Sequence, residues 1–241
     1  MINIETASGR KIVTMSDWAS IYENPQQNHQ WKEYRSAHSV AEFIINKNGA
    51  EAISQRVSDA LGYDVHFDKI IPELEIRFDK YGRGRVHDLG IYGSTDSGKR
   101  LFVGVEAKVD ESFGSYALDS YLQAKSKQIV GISTKAPERI EQLLALHFSK
   151  PDPSMFNVRY QLLYATAGTL AAEADIHVLF VAVFKTPLYD LDIGTKNYND
   201  YMQFMTKVGA EQINLQTEEA IGHRLSLQDK ELVCLHEYFQ L

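Results

Sequence analysis

Apolar residues recur at helical spacing in two stretches of the chain. Ala37, Val40, Ala41, Ile44 and Ile45 fall at i, i+3, i+4, i+7 and i+8, with Asn48-Gly49 as a stop. Tyr160, Leu163, Tyr164, Ala167, Leu170, Ala171 and Ala174 form a second stripe of the same kind. Between them a shorter helix is expected from Ala50 to Leu61, ended by Gly62, and then the period changes to two. Leu74, Ile76 and Phe78 alternate with Glu73, Glu75 and Arg77, which predicts a strand. The turn Tyr81-Gly82-Arg83-Gly84 leads into a second strand, RVHDLGIYG, and the glycine-rich stretch Gly93 to Gly98 turns into a third, LFVGVEAKV. After the second stripe, the continuous apolar run HVLFVAVF reads as a strand buried on both faces. The order is helix, three strands, helix, strand.

The stretch from about 112 to 157 interrupts this order. It contains Tyr116 to Val130 and a helix expected from Pro137 to Phe148, with Ile140, Leu143, Leu144 and His147 at helical spacing and Pro151-Asp152-Pro153 as its end. Such an insertion is placed to cap a cleft or to meet a partner. Tyr198, Tyr201, Met202 and Met205 predict a further helix, while Leu225 to Phe239 suits either a helix or a terminal hairpin, so residues 206–241 carry no assignment. No repeat or long linker divides the chain, and residues 1–241 are expected to form one α/β domain with a mixed central sheet flanked by helices.

Composition narrows the function classes. No apolar run approaches the roughly 20 residues needed to cross a bilayer, and the polar start MINIETASGRK is unlike a secretion signal, so a cytoplasmic protein that is not in a membrane is expected. Cys234 is the single cysteine, which removes disulfide and cysteine-zinc frameworks and points to a buried thiol. His147 has no ligand-type companion on its stripe and reads as a core histidine. The net charge of -7 disfavours a wholly basic nucleic-acid surface and leaves local patches to do that work, the best being Lys80, Arg83 and Arg85 around the turn before the second strand.

The chemistry concentrates on the second and third strands. Glu106 and Lys108 are two apart and share a sheet face, and Asp88 on the adjacent strand can stand beside them. Phe102 and Gly104 share that face, which is unlike a solvated row. Two carboxylates and a lysine on one face call for a hard cation or a phosphate, and Mg²⁺ or Mn²⁺ suits an oxygen donor set. The composition alone yields about three acid-x-base triplets by chance, so the triplet is informative only through its place on an apolar strand after an acid-bearing one.

Asp88 and Glu106-Ala107-Lys108 resemble the signature of the PD-(D/E)XK nuclease superfamily, an acid near the end of one strand followed on the next by acid, any residue, lysine. VEAKVDESFG is also similar to a group of bacterial restriction-endonuclease-like proteins. His87 stands where the superfamily name has proline. The resemblance implies a restriction-endonuclease-like αβββαβ core and hydrolysis of nucleic-acid phosphodiesters, DNA before RNA. It further implies Mg²⁺ or Mn²⁺ held by Asp88, Glu106 and the Ala107 carbonyl, Lys108 acting on the water, and a homodimer where duplexes are cut symmetrically. It also suggests supporting roles for Gln161, paired with Tyr164 three rather than four residues on, and for Glu33 on the first helix. Arg83 and Arg85 would contact phosphate. A reading of another class is a non-catalytic interaction module that keeps the fold. A phosphate loop is weighed and set aside: Gly93 to Lys99 has the G-x-x-x-x-G-K spacing, but Arg100 follows the lysine and a strand follows that.

Overall fold

The computed structural model describes residues 2–23, 30–150, 152–215, 217 and 219–241. Its strands are β1 (Asn3–Ile4), β2 (Val65–Ile76), β3 (Arg85–Thr95), β4 (Arg100–Lys108), β5 (Ile176–Lys185), β6 (Glu211–Ile213), β7 (Ala220–Leu227) and β8 (Lys230–Gln240). They form one mixed sheet in the order β1-β2-β3-β4-β5-β8-β7-β6. β2, β3 and β4 are an antiparallel meander, β5 lies parallel to both β4 and β8, and β7 and β6 return antiparallel. The helices are α1 (Met15–Ala19), α2 (Ser36–Asn46), α3 (Gly49–Leu61), α4 (Ala117–Ile129), α5 (Ala136–His147), α6 (Tyr160–Ala171) and α7 (Leu191–Lys207). None of the described helices is long and apolar enough to cross a membrane.

Helices cover both faces of the sheet, which explains the continuous apolar run in β5. Val40, Ile44, Ile53 and Val57 of α2 and α3 pack on Ile70, Leu89, Ile91, Val103, Val105 and Phe180. On the opposite side Leu143, Leu163 and Phe204 of α5, α6 and α7 pack on Leu179, Val181 and Cys234. β4 alternates strictly between the two. Leu101, Val103, Val105 and Ala107 belong to the first core, while Phe102 packs toward Ala172 and Gly104 backs onto Thr169. Glu106 and Lys108 therefore lie on the α6 side.

Several boundaries differ from the sequence reading. β2 starts at Val65, eight residues before Glu73, and ends at Ile76, leaving Phe78 outside the ladder under the Arg139 guanidinium. β3 continues through Gly93, Ser94 and Thr95, so the turn is shorter than expected and centres on Gly98, with φ at +77°. Gly93 is glycine because a Cβ there would stand 2.2 Å from the His66 carbonyl oxygen of β2, a close-approach requirement and not a phosphate loop. α6 stops at Ala171, short of Ala174.

The insertion is the α4–α5 pair, its ends joined by a β-bridge between Tyr116 and Arg159. Pro151 of the expected stop lies outside the described residues, and Asp152 caps a 3₁₀ turn over Pro153–Phe156. The tail resolves to the hairpin alternative, β7 and β8, preceded by the short β6.

Candidate functional site

Asp88 sits where β3 changes face. Leu89 belongs to the core beneath α2 and α3, yet Arg85 and His87, at even offsets from it, lie against α6. A Cβ on Gly168 of α6 would stand 2.5 Å from the Arg85 Cβ, and one on Gly104 would stand 2.8 Å from the His87 ring. Glycine at both positions makes the room. The matching irregularity on β2 is Glu73, whose φ is +51°, flanked by the pairs Pro72↔Leu89 and Leu74↔His87. A non-glycine residue in the left-handed region is strained, and such strain collects at functional sites. That register puts Glu73 directly across from Asp88.

On the other side, the β3–β4 ladder ends at Leu89↔Val105, so Asp88 stands opposite Glu106 just beyond it. Asp88 Oδ2 accepts the Ala107 N–H at 2.7 Å in place of the next ladder bond. A strand residue offers its N–H and C=O to the same neighbour, so the Ala107 carbonyl turns to that edge as well. Glu106 is almost completely enclosed. It accepts from Arg85 on one oxygen and from Gln161 on the other, and Lys108 Nζ lies 2.9 Å from that second oxygen. Lys108 also donates to Gln161 Oε1 at 3.2 Å, above the Phe113 ring, and the Arg85 guanidinium lies 5.1 Å from the Tyr164 ring.

Burial lowers Lys108 to about 8, with the Arg85 charge adding to the effect and the Asp88 charge opposing it. Glu73 moves the other way. Burial raises it to about 7, and the neighbouring charge of Asp88 adds to this while the Tyr22 hydroxyl, 2.7 Å away, holds it down. The two carboxylates open into a cleft of 490 Å³ whose wall also carries Lys32, Arg35, Arg83, Arg85 and Glu111. Its far side is the start of α2, tied to the end of β4 by Arg35 on Asp110 at 2.8 Å and by the Ser36 N–H on Glu111 at 3.4 Å.

The residues expected from the sequence thus separate into groups. Asp88, Glu106, Ala107, Lys108 and Gln161 converge. Arg85 was expected with Arg83 as a phosphate contact at the turn before β3, but it is buried on Glu106 with its Nε unbonded among the described residues. Arg83 is exposed, lines the cleft and pairs with Glu75 at 3.2 Å. Glu33 does not lie on the first helix: α2 begins at Ser36, and Glu33 is an exposed residue of the preceding turn. Glu73 and Tyr22 were missed. The available signal was Pro72, which cannot donate to a ladder and marks an irregularity in a strand.

Fold and site together define an α/β protein with a buried carboxylate–lysine–glutamine cluster where β3 and β4 part, beside an open pair of carboxylates. The chain matches the family described as Domain of unknown function (DUF6946) over residues 11–235, and it belongs to that family. No curated protein and no solved structure matches it.

Proposed function

We propose that this protein is a metal-dependent nuclease of the PD-(D/E)XK type, with a restriction-endonuclease-like core, hydrolysing phosphodiester bonds of nucleic acid, DNA before RNA. The observation that carries the reading is the convergence of Asp88, Glu106, Lys108 and Gln161 from β3, β4 and α6, with Asp88 opening from this buried cluster into a cleft edged by Lys32, Arg35, Arg83 and Arg85. The order α2, β2, β3, β4, α6, β5, with α4 and α5 inserted, supports the same core. Work in the cytoplasm and pairing into a homodimer on symmetric duplexes belong to this proposal.

The donor set fits Mg²⁺ or Mn²⁺. Glu73 and Asp88 are like charges side by side in an open cleft, an arrangement that a hard cation relieves, and the Ala107 carbonyl adds a third oxygen. Among the described residues no three acidic, histidine or cysteine side chains converge on one point, so this would be a site of few protein ligands that leaves room for water and substrate phosphate. Glu106 differs from the expectation, since Arg85 and Lys108 already neutralise it and Gln161 donates a hydrogen bond to it. Its first task would be to hold Lys108.

A bound divalent cation would lower the pKa of a water and polarise the phosphoryl oxygen. Lys108, near 8 and held by Glu106 and Gln161, would take the proton from the attacking water. Arg85 and Arg83 would meet the charge that grows on the phosphoryl oxygens.

The saturated state of Glu106 is the one observation that favours the second reading, a module in which the cluster is only a buried ion pair. Calorimetry with Mn²⁺ separates the two. Wild type should give a heat that Asp88→Ala abolishes, and wild type should cleave duplex DNA in Mn²⁺; the absence of both would leave the module.

A further inference from the structure

α4 and its junction with α5 expose several large apolar side chains. α4 turns only Ala117 and Ala124 fully inward, while Leu118, Leu122 and Ile129, on one helical face, point to solvent. The exposed surface continues around the tip as Val130 and Ile132, with Ile129 at 84% and Val130 at 71% exposure. Contiguous apolar surface of this kind marks an interaction site. The tip itself is cationic in a chain of net charge -7: between Asp119 and Glu138 it carries Lys125, Lys127 and Lys135 and no acid, with Lys135 pairing with Glu138 at 3.5 Å and Lys125 and Lys127 unpaired by any acid among the described residues. The other exposed apolar group, Leu188, Leu191 and Ile193, sits instead beside Asp190 and Asp192.

We infer that the α4–α5 tip is a docking wedge for duplex DNA, with Ile129, Val130 and Ile132 entering the minor groove and the lysines on the flanking phosphates. The inference rests on the nuclease reading and adds to its cationic cleft a second polyanion contact, away from the cut. Charge decides the partner's sign. A cationic tip facing its own copy would repel, which disfavours a symmetric dimer here. Side-chain type decides between duplex and single strand. Aliphatic side chains pry base steps apart from the minor groove, whereas single strands are held by stacking on aromatics, and no Phe or Trp of the tip is exposed. The start of α4 lies close to Lys108 through Phe113, and a helix of 13 residues reaches about 20 Å, so the wedge would grip within about six base pairs of the cut.

The test is binding of a fluorescent duplex carrying 2-aminopurine, in Ca²⁺ over a salt series, beside vesicles of phosphatidylglycerol and phosphatidylcholine. For Lys125→Ala with Lys127→Ala, the slope of log affinity against log salt should fall by about 0.9 per lost contact. For Ile129→Ser with Val130→Ser, affinity should drop about tenfold at unchanged slope, and the 2-aminopurine signal of unstacking should vanish. If either pair loses its thermal transition, Lys127→Ala and Val130→Ser carry the same comparison. Wild-type affinity in both variants, or vesicle binding that depends on the tip, overturns the wedge while cleavage by wild type keeps the nuclease reading. A wild type that neither binds nor cleaves the duplex overturns both.

Discussion

Glu73 stands directly across the β2–β3 ladder from Asp88, two carboxylates in one cleft, the first on strained backbone at φ +51°. Burial, and after it the neighbouring Asp88 charge, raise Glu73 to about 7. Glu73→Gln should therefore stabilise the metal-free protein, raising its urea midpoint, and weaken Mn²⁺ binding at least tenfold. Calorimetry and denaturation on the same samples check it; unchanged Mn²⁺ affinity would remove Glu73 from the site.

Glu106 has the opposite setting. Arg85, Lys108 and Gln161 all converge on it in a nearly closed space. Glu106→Gln leaves a buried guanidinium and ammonium without their counter-charge, and breaking a buried pair from one side typically costs about 3–5 kcal/mol. A variant as stable as wild type in urea would mean that Arg85 finds another partner, Glu73 and Asp88 lining the same cleft.

The contrast between these two acids shows what was legible in the chain. Asp88, Glu106 and Lys108 could be found because strand period and turn spacing fix which residues are neighbours, and a two-residue spacing fixes the face of Glu106 and Lys108. Glu73 looked like an outward residue of an alternating strand, since period two says nothing of a residue with positive φ. Arg85 looked solvated because it is next to a glycine turn; its burial depends on Gly168, 83 residues later, which no local pattern can reveal. The hairpin of β7 and β8 was ambiguous because β8 is buried on both faces and so lacks alternation.

Lys108→Ala should lower single-turnover cleavage by roughly 10² to 10⁴, the range for a positioned acid–base group. Mn²⁺ affinity should hold or rise, because a positive charge leaves the vicinity of Asp88. Full cleavage at saturating metal would assign the water to another base.

Gly168→Ala tests the packing that carries Arg85. The new Cβ would meet the Arg85 Cβ at 2.5 Å, contact with the root of a side chain that cannot simply swing away. α6 must shift from β3, and overpacking of this kind costs about 1–3 kcal/mol. Cleavage should fall more than stability alone explains, because Gln161 and Tyr164 ride on the same helix. A crystal structure of the variant with α6 in place would refute this account.

The pH dependence of stability should carry the mark of His147. It is enclosed between α5 and α6, its Nδ1–H donating to the Leu143 carbonyl at 2.7 Å and its Nε2 2.5 Å from the Thr166 hydroxyl oxygen. Burial lowers it to about 4 from an ordinary 6.5. Between those values the unfolded chain binds a proton that the folded one refuses, so stability is whole above about pH 6.5 and is lost as pH falls toward 4. The loss amounts to about 1.4 kcal/mol per pH unit, or about 3 kcal/mol in all. His236, also lowered to about 4 by burial, acts in the same direction. His147→Gln should flatten the wild-type decline by one proton's worth between pH 6 and 5, measured as urea unfolding free energies at each pH. Parallel declines in variant and wild type would show that His147 takes its proton inside the fold.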